Sequence, residues 1–351
     1  MARLTRAQTQ ELTRARILTA AKAEFTEHGY RDAKIDRIAD RADLTRGAVY
    51  SNFPGKRALY FAVLAHTAEA APEPRATPGH TVRDALGALA RAWAATLPMA
   101  TDTTHGTARL GVHLLPEIMT DDLTRQPFAQ LLALDAIALG LALEQLDPTA
   151  GRLVRVAEAA LTTLHGATTL AAAAPGFGEP FNTVRACEQL ADLDLHDQWF
   201  DPHLSTTAHT VDEPWEPLPA TDLLTGRPAP LDDVVLILGT HRLSAVEAPL
   251  RAGAAVTAAI VTAHPDELSP LIRLTTAHLR DHLRHALPHP TWPRLRLVND
   301  DRGFLAAAAG VTPHDTTETA LRITSGRVTA RAHGFGAAHA IAAPTSADHP
   351  T

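Results

Sequence analysis

The sequence predicts a multidomain chain: an all-α helix-turn-helix head, a second all-α domain and then an α/β domain. Three observations predict it. Residues 34–60 carry two short apolar helical periods separated by a tight break. The pattern then stays helical to about residue 204. After a proline-rich stretch it changes to short β-branched runs alternating with helices. The expected divisions are a head over 1–70, an all-α domain over 79–204, a Pro-rich linker over 205–230 and an α/β domain over 231–343.

Composition sets the outer bounds. At 351 residues and 45% hydrophobic content, the chain can bury more than one core. The net charge is -7, but it is divided unevenly. Residues 1–60 hold 12 Lys and Arg against 7 Asp and Glu, a net of +5, and the remainder carries -12. All three lysines, Lys22, Lys34 and Lys56, lie in the first segment. A basic head on acidic domains fits a polyanion partner at one end. No run of 18 apolar residues lacks a charge or proline, which argues against a membrane span. The N-terminus has no apolar export core. The lone cysteine, Cys187, excludes an internal disulfide and any cysteine-rich metal site. A cytoplasmic protein is expected.

Residues 1–8 form a basic arm with Arg3 and Arg6. A first helix over 9–28 buries Leu18, Ala21 and Phe25 and stops at Gly29. Ile35, Ile38, Ala39 and Ala42 then mark one face of a second helix. It breaks at Asp43-Leu44, with Leu44 as a buried plug and Thr45 capping the next helix. Val49 and Phe53 point inward, which turns Gly47, Ala48, Tyr50 and Ser51 outward. Small residues on that face permit close approach to a groove floor, and Ala48 can pack on a thymine methyl. Arg46 is the long donor placed to reach a guanine edge. Tyr50, Lys34 and Lys56 suit phosphate oxygens.

The stretch IADRADLTRGAVYSNFPGKRAL resembles the signature of the TetR family of bacterial transcription regulators. Ile38-Ala39, Ala42, Leu44, Thr45, Gly47, Tyr50, Phe53, Lys56 and Leu59 carry the resemblance, which covers about the first 70 residues. Two positions depart from the pattern. Asp43 stands for the usual turn glycine, and Ala33-Lys34 stand where threonines often cap the second helix. The resemblance implies a homodimer on double-stranded DNA, released by a small-molecule effector. It also implies that the helix from Gly55 to about Ala70 connects the head to the ligand domain.

Helices are expected near 80–97, 106–120, 121–146, 149–173 and 180–200. Leu131, Leu134, Ala138 and Leu141 share one face, yet the helix is apolar on other faces too, so burial on more than one side is expected. The run from Arg152 resembles the penultimate TetR-family helix, which implies a dimer interface with the helix carrying Val184, Cys187 and Leu190. The resemblance also implies an effector pocket. Its candidate lining residues are Trp93, Arg109, His113, Phe128 and His165. Arg109, His113 and Glu117 also suit a plain surface ladder at i, i+4, i+8.

Beyond the linker the order reads β-α-β-α-β-α-β-β-α, with strands at 233–239, 255–263 and 294–300 and a hairpin turning at Ser325-Gly326. LVNDDRGFLAAAAGV and TALRITSGRVTARAHG resemble segments of a thioredoxin-like domain of the peroxiredoxin branch. Aligning Pro249 with that family's helix proline puts His241 and Ser244 at the two active-cysteine positions. Thiol redox chemistry needs a thiolate, so the domain is expected to be a redox-inactive copy serving regulation, packing or partner binding. His278, His282 and His285 stand at i, i+4, i+7 and are expected on a solvated face rather than around a metal. No enzyme, catalytic residue or cofactor is expected. Two other readings stay open: a DNA-binding scaffold without an effector, whose last domain recruits a protein, and a thioredoxin-like oxidoreductase.

Overall fold

The computed structural model describes residues 5–73, 77–98, 110–199 and 204–342. Arg3 of the basic arm and Arg109 of the expected pocket lie outside these residues. The head consists of α1 (Arg6–Asp32), α2 (Ile35–Arg41), α3 (Arg46–Tyr50) and α4 (Lys56–Glu69). Gly29 interrupts α1 at φ 67, as its position after the apolar stripe predicts. Ile17, Ala21, Phe25, Ile38, Val49 and Phe53 are buried and form the core of the head. Leu44 is only half-buried.

Every residue of α4 from Ala58 to Ala65 is buried. A helix buried all round needs a partner on each side. One side packs on α1, and the other on α11 (Pro265–Ala286), which belongs to the α/β part of the chain. The helical domain contains α5 (Val82–Ala94), α6 (Leu114–Met119), α7 (Asp122–Leu146), α8 (Val154–Ala173) and α9 (Pro180–Gln189). The last helix ends well before the expected residue 200, in a 3-10 turn at Leu190–Asp192. By length and composition α7 could cross a membrane, but 67% of its apolar window is buried inside the protein. Its apolar faces are those of a core helix. Gly140 lets the start of α8 approach it; a Cβ there would lie 2.7 Å from the Val154 Cα.

The α/β domain is built on a six-stranded sheet of β1 (His209–Pro214), β2 (Asp233–Gly239), β3 (Val256–Val261), β4 (Leu295–Asn299), β5 (Glu318–Thr324) and β6 (Arg327–His333). The strand order is β1-β6-β5-β2-β3-β4. β2, β3 and β4 are parallel, and β5, β6 and β1 run antiparallel to their neighbours. The helices are α10 (Glu247–Arg251), α11, α12 (Phe304–Ala308) and α13 (Ala337–Ala342).

The stretch expected to be a linker is instead part of this domain. β1 adds an edge strand, where Pro214 is tolerated. Trp215 and Leu224 are buried, and the Trp215 indole donates to the Leu231 carbonyl at 3.0 Å. The buried Asp222 carboxylate accepts from the amides of Leu224 and Leu297 at 3.1 and 3.0 Å. Its prolines shape a segment that covers the sheet rather than one that spans solvent.

The histidine stripe is likewise not solvated. His282 Nδ1 lies 2.9 Å from the Asp135 carboxylate of α7, and its ring stacks on Trp93 of α5 at 5.1 Å. His278 stacks on His282 at 6.3 Å, and His165 meets the Trp93 edge at 4.9 Å. A polar stripe on α11 therefore faces polar and aromatic groups of the helical domain, not water. Among the described residues no three His, Cys, Asp or Glu side chains are grouped to hold a metal ion.

Burial pushes His165 down to about 4 and His278 down to about 3. Both lie below the ordinary value of 6.5, so the unfolded chain binds more protons than the folded one as pH falls from 6.5 toward 4. The stability these histidines leave intact above 6.5 is lost progressively below it. The melting temperature should therefore fall between about pH 7 and about pH 5, and a His165→Phe variant should flatten that dependence. A melting temperature equally pH-dependent in both chains would contradict this assignment.

Candidate nucleic-acid interface

The turn between α2 and α3 is built from backbone outward. Asp43 takes the left-handed conformation at φ 50, which Asp adopts more readily than most residues. Thr45 Oγ1 accepts from the Ala48 amide at 3.2 Å and caps α3. Arg16 reaches over from α1 and donates to the Asp43 carbonyl at 3.3 Å. Arg14 places its guanidinium 4.2 Å from the Phe53 ring centre and donates to the Asn52 carbonyl at 2.9 Å. With Val49 and Phe53 buried, α3 can turn only one face to solvent.

That face carries most of the expected contact residues. Lys34, Thr45, Arg46, Gly47, Tyr50 and Ser51 are exposed, and Ala48 is half-buried. The Arg46 guanidinium lies 3.4 Å from Asp36 and 5.5 Å from the Tyr50 ring centre. Ser51 Oγ donates back to the Ala48 carbonyl at 2.9 Å, so its hydrogen is engaged within the helix. Lys56 stands apart from the group. Its Nζ donates to the Arg31 carbonyl at 3.0 Å and lies 4.7 Å from the Tyr30 ring centre, and burial lowers its pKa. The ammonium is turned toward α1 rather than presented beside Arg46.

Gly47 has no internal reason to be glycine. A Cβ there would meet nothing closer than Thr45 Oγ1 at 3.8 Å, an ordinary contact. An exposed helical glycine costs roughly 0.5–1 kcal/mol relative to alanine. The head accepts that cost on the very face left open to solvent.

One positioning residue is not apparent from the motif. Glu24 on α1 is fully buried, and its carboxylate accepts from the Lys34 amide at 3.1 Å and from Arg37 Nε. Arg41 Nε lies 3.4 Å from its other oxygen. Lys34 offers no side-chain cap to α2. Glu24 instead holds the Lys34 amide from another helix, the donor that a capping-box carboxylate would serve, and so fixes the start of α2 without a capping hydroxyl at Ala33-Lys34. Its sequence signal is the pairing of Glu24 and Glu27 on α1 with Arg37 and Arg41 on α2.

The candidate effector residues do not form one pocket. Trp93, Phe128 and His165 converge, with His165 and Phe128 ring centres 6.3 Å apart, but His282 of α11 stacks on the Trp93 ring. The Trp93 indole donates to Thr168 Oγ1 at 2.8 Å. The cavity in the adjoining helical core, lined by Leu86, Leu139 and Ala157, is about 10 Å³, no larger than one water. His113 lies elsewhere, 6.2 Å from Tyr30 of the head, and burial lowers its pKa. Burial, and next the nearby Glu117 carboxylate, raise the pKa of Tyr30. The expected His113–Glu117 ladder is therefore a contact between head and second domain.

Replacing Glu24 with leucine should destabilise the chain by about 2 kcal/mol, because the Lys34 amide and two guanidiniums lose a shared acceptor. Urea unfolding measures this, and an unchanged midpoint would remove Glu24 from the role assigned here.

Residues 17–63 match the family model described as bacterial regulatory proteins, tetR family. The HTH-type transcriptional regulator SrpR of Pseudomonas putida is 51% identical over 65 residues, which is 18% of this chain and 30% of that protein. TtgW, an HTH-type transcriptional regulator also from Pseudomonas putida, is 51% identical over 65 residues as well, covering 18% and 48%. The HTH-type transcriptional repressor SCO4008 of Streptomyces coelicolor is 43% identical over 58 residues, covering 16% and 30%. The chain thus spans between 30% and 48% of the length of these relatives. The segment from the middle of α1 to the middle of α4 is thus similar to the N-terminal helix-turn-helix domain of TetR-family regulators.

Proposed function

We propose that the chain is a homodimeric, ligand-responsive transcription regulator that works in the cytoplasm as a repressor on double-stranded DNA. The observation that carries this reading is the open face of α3. It combines a glycine unexplained by internal packing with Arg46, Thr45 and Tyr50, on the basic end of an otherwise acidic chain. A close-approaching backbone flanked by donors suits a major-groove floor between phosphates. Two such heads would meet half-sites about 34 Å apart on a pseudo-palindrome.

Dimerisation through α8 and α9 is supported by exposed apolar groups at their junction. Phe177 is 75% exposed, Phe181 68% and Leu170 47%. Apolar surface of that size gathered in one place suits a second copy. Effector entry between Trp93, Phe128 and His165 has less support, since α11 already occupies that side.

For the α/β domain we propose a thioredoxin-like module of the peroxiredoxin branch without redox chemistry. Three parallel strands flanked by an antiparallel hairpin support that topology. His241 follows the end of β2, where the nucleophile of such a domain would stand. The lone thiol, Cys187, is on α9, and burial pushes it up to about 11, so it is a poor thiolate. Peroxide turnover above a protein-free control would overturn this part.

The regulator reading is tested by selecting bound fragments from a genomic library with the purified full-length chain. A shared pseudo-palindrome is expected, with affinity falling steeply as salt rises. Gly47→Ala should bind that fragment at least about tenfold more weakly while melting no lower than the parent chain. Failure to enrich any sequence at low salt would overturn the reading.

A further inference from the structure

A second cavity lies in the α/β domain, beside Arg273 of α11. Its volume is about 340 Å³, within the range of small-molecule sites. It opens where β4 ends, between the segment around Leu218 and the turn leading into α12. Leu218 and Phe304 line it and are 55% and 47% exposed, which gives the mouth an apolar wall. Arg273, Asn299, Asp301 and Arg302 line the polar side.

These polar groups are not spent on the fold. Among the described residues neither the Arg302 guanidinium nor the Asp301 carboxylate makes a hydrogen bond or close ion pair, although Asp301 is near enough to Arg273 and Arg14 to attract both guanidiniums electrostatically. Asn299 Oδ1 is a buried acceptor without a hydrogen-bond partner. Arg273 is committed in part: its Nε and Nη2 bond the Glu69 carboxylate of α4 at 2.7 and 2.5 Å. A guanidinium has five N–H donors, so the Nη1 edge remains for a ligand. The remaining acid at this turn, Asp300, is held by the Ala306 amide at 2.9 Å.

We propose that this cavity binds an apolar α-amino acid in its zwitterionic form. Its carboxylate would sit on Arg302 and the open edge of Arg273, its ammonium would face Asp301, and its side chain would lie between Leu218 and Phe304. A ligand carrying only negative charge would meet Asp301 unpaired, and one carrying only positive charge would meet Arg302. The charge pairs and the apolar wall select a molecule with both charges and an apolar body. A carboxylate on the open edge of Arg273 shares that guanidinium's charge with Glu69 without displacing it, so occupancy weakens the ion pair at the end of the helix that carries the head. This regulatory consequence rests on the DNA-binding reading, whereas the binding itself does not.

Calorimetric titration of the full-length chain with leucine, phenylalanine and methionine tests the site. The comparison ligands are 4-methylpentanoate and 3-phenylpropanoate, which lack the ammonium. At least one amino acid should bind, its ammonium-free analogue at least about tenfold more weakly, and Arg302→Gln should weaken binding by a similar factor. No heat from any of the three amino acids at about 10 mM, or binding indifferent to Arg302→Gln, would overturn the proposal. The same protein sample is assayed on selected DNA. DNA binding without amino-acid binding sinks the site alone, and the reverse result sinks the regulator reading alone.

Discussion

The packing of α4 between α1 and α11 is the constraint on which the rest of the structure depends. Eight consecutive buried residues, Ala58 to Ala65, leave this helix no face for water. Such a segment is stable only while both partners are present. One partner is the head itself, and the other comes from more than two hundred residues further along the chain. Arg273, Arg280 and Arg284 of α11 grip the far end of α4 through Glu69, the Ala68 carbonyl and, just beyond the helix, Glu73. Guanidiniums there also suit the partial negative charge of a helix C-terminus. The orientation of α4, and so of α3, follows from how α11 lies on it.

The α/β and helical domains share an apolar core, with Ala286 and Leu287 against Leu86 and Leu89, and they also meet through polar, partly buried contacts. Arg251 bonds Glu144, Arg152 bonds Glu247, and His282 meets Asp135. Pairs of this kind add little net stability over apolar packing, but removing one partner is costly. Their effect is to make one docking geometry much better than its neighbours. The aromatic set around Tyr30, Tyr60 and His113 does the same between head and second domain. The head is thereby held at two places, by α6 side chains and by α11.

The helix-turn-helix was legible because its determinants are local. The inward spacing of Val49 and Phe53, the Thr45 cap and the turn at Asp43 all act within one or two helical turns. The strand sequence of the α/β domain was legible for the same reason. The histidine stripe on α11 was misread because periodicity separates polar from apolar faces but does not say what the polar face meets. Asp135 and Trp93, which it meets, lie far away in sequence. The segment over 205–230 was misread because its prolines suggest a linker, while its pairing partner, β6, comes more than a hundred residues later. Glu24 was missed because a buried carboxylate looks like a surface one until the donors it serves converge in space.

The most direct measurement compares a chain ending at residue 204 with the full-length protein, by thermal unfolding and by binding to the same selected DNA. Loss of α11 strips one side of α4. The shortened chain should therefore lose its cooperative transition, bind apolar dyes and hold DNA weakly or not at all. A shortened chain that melts cooperatively at the parent temperature and binds DNA equally well would contradict the dependence of the head on the α/β domain.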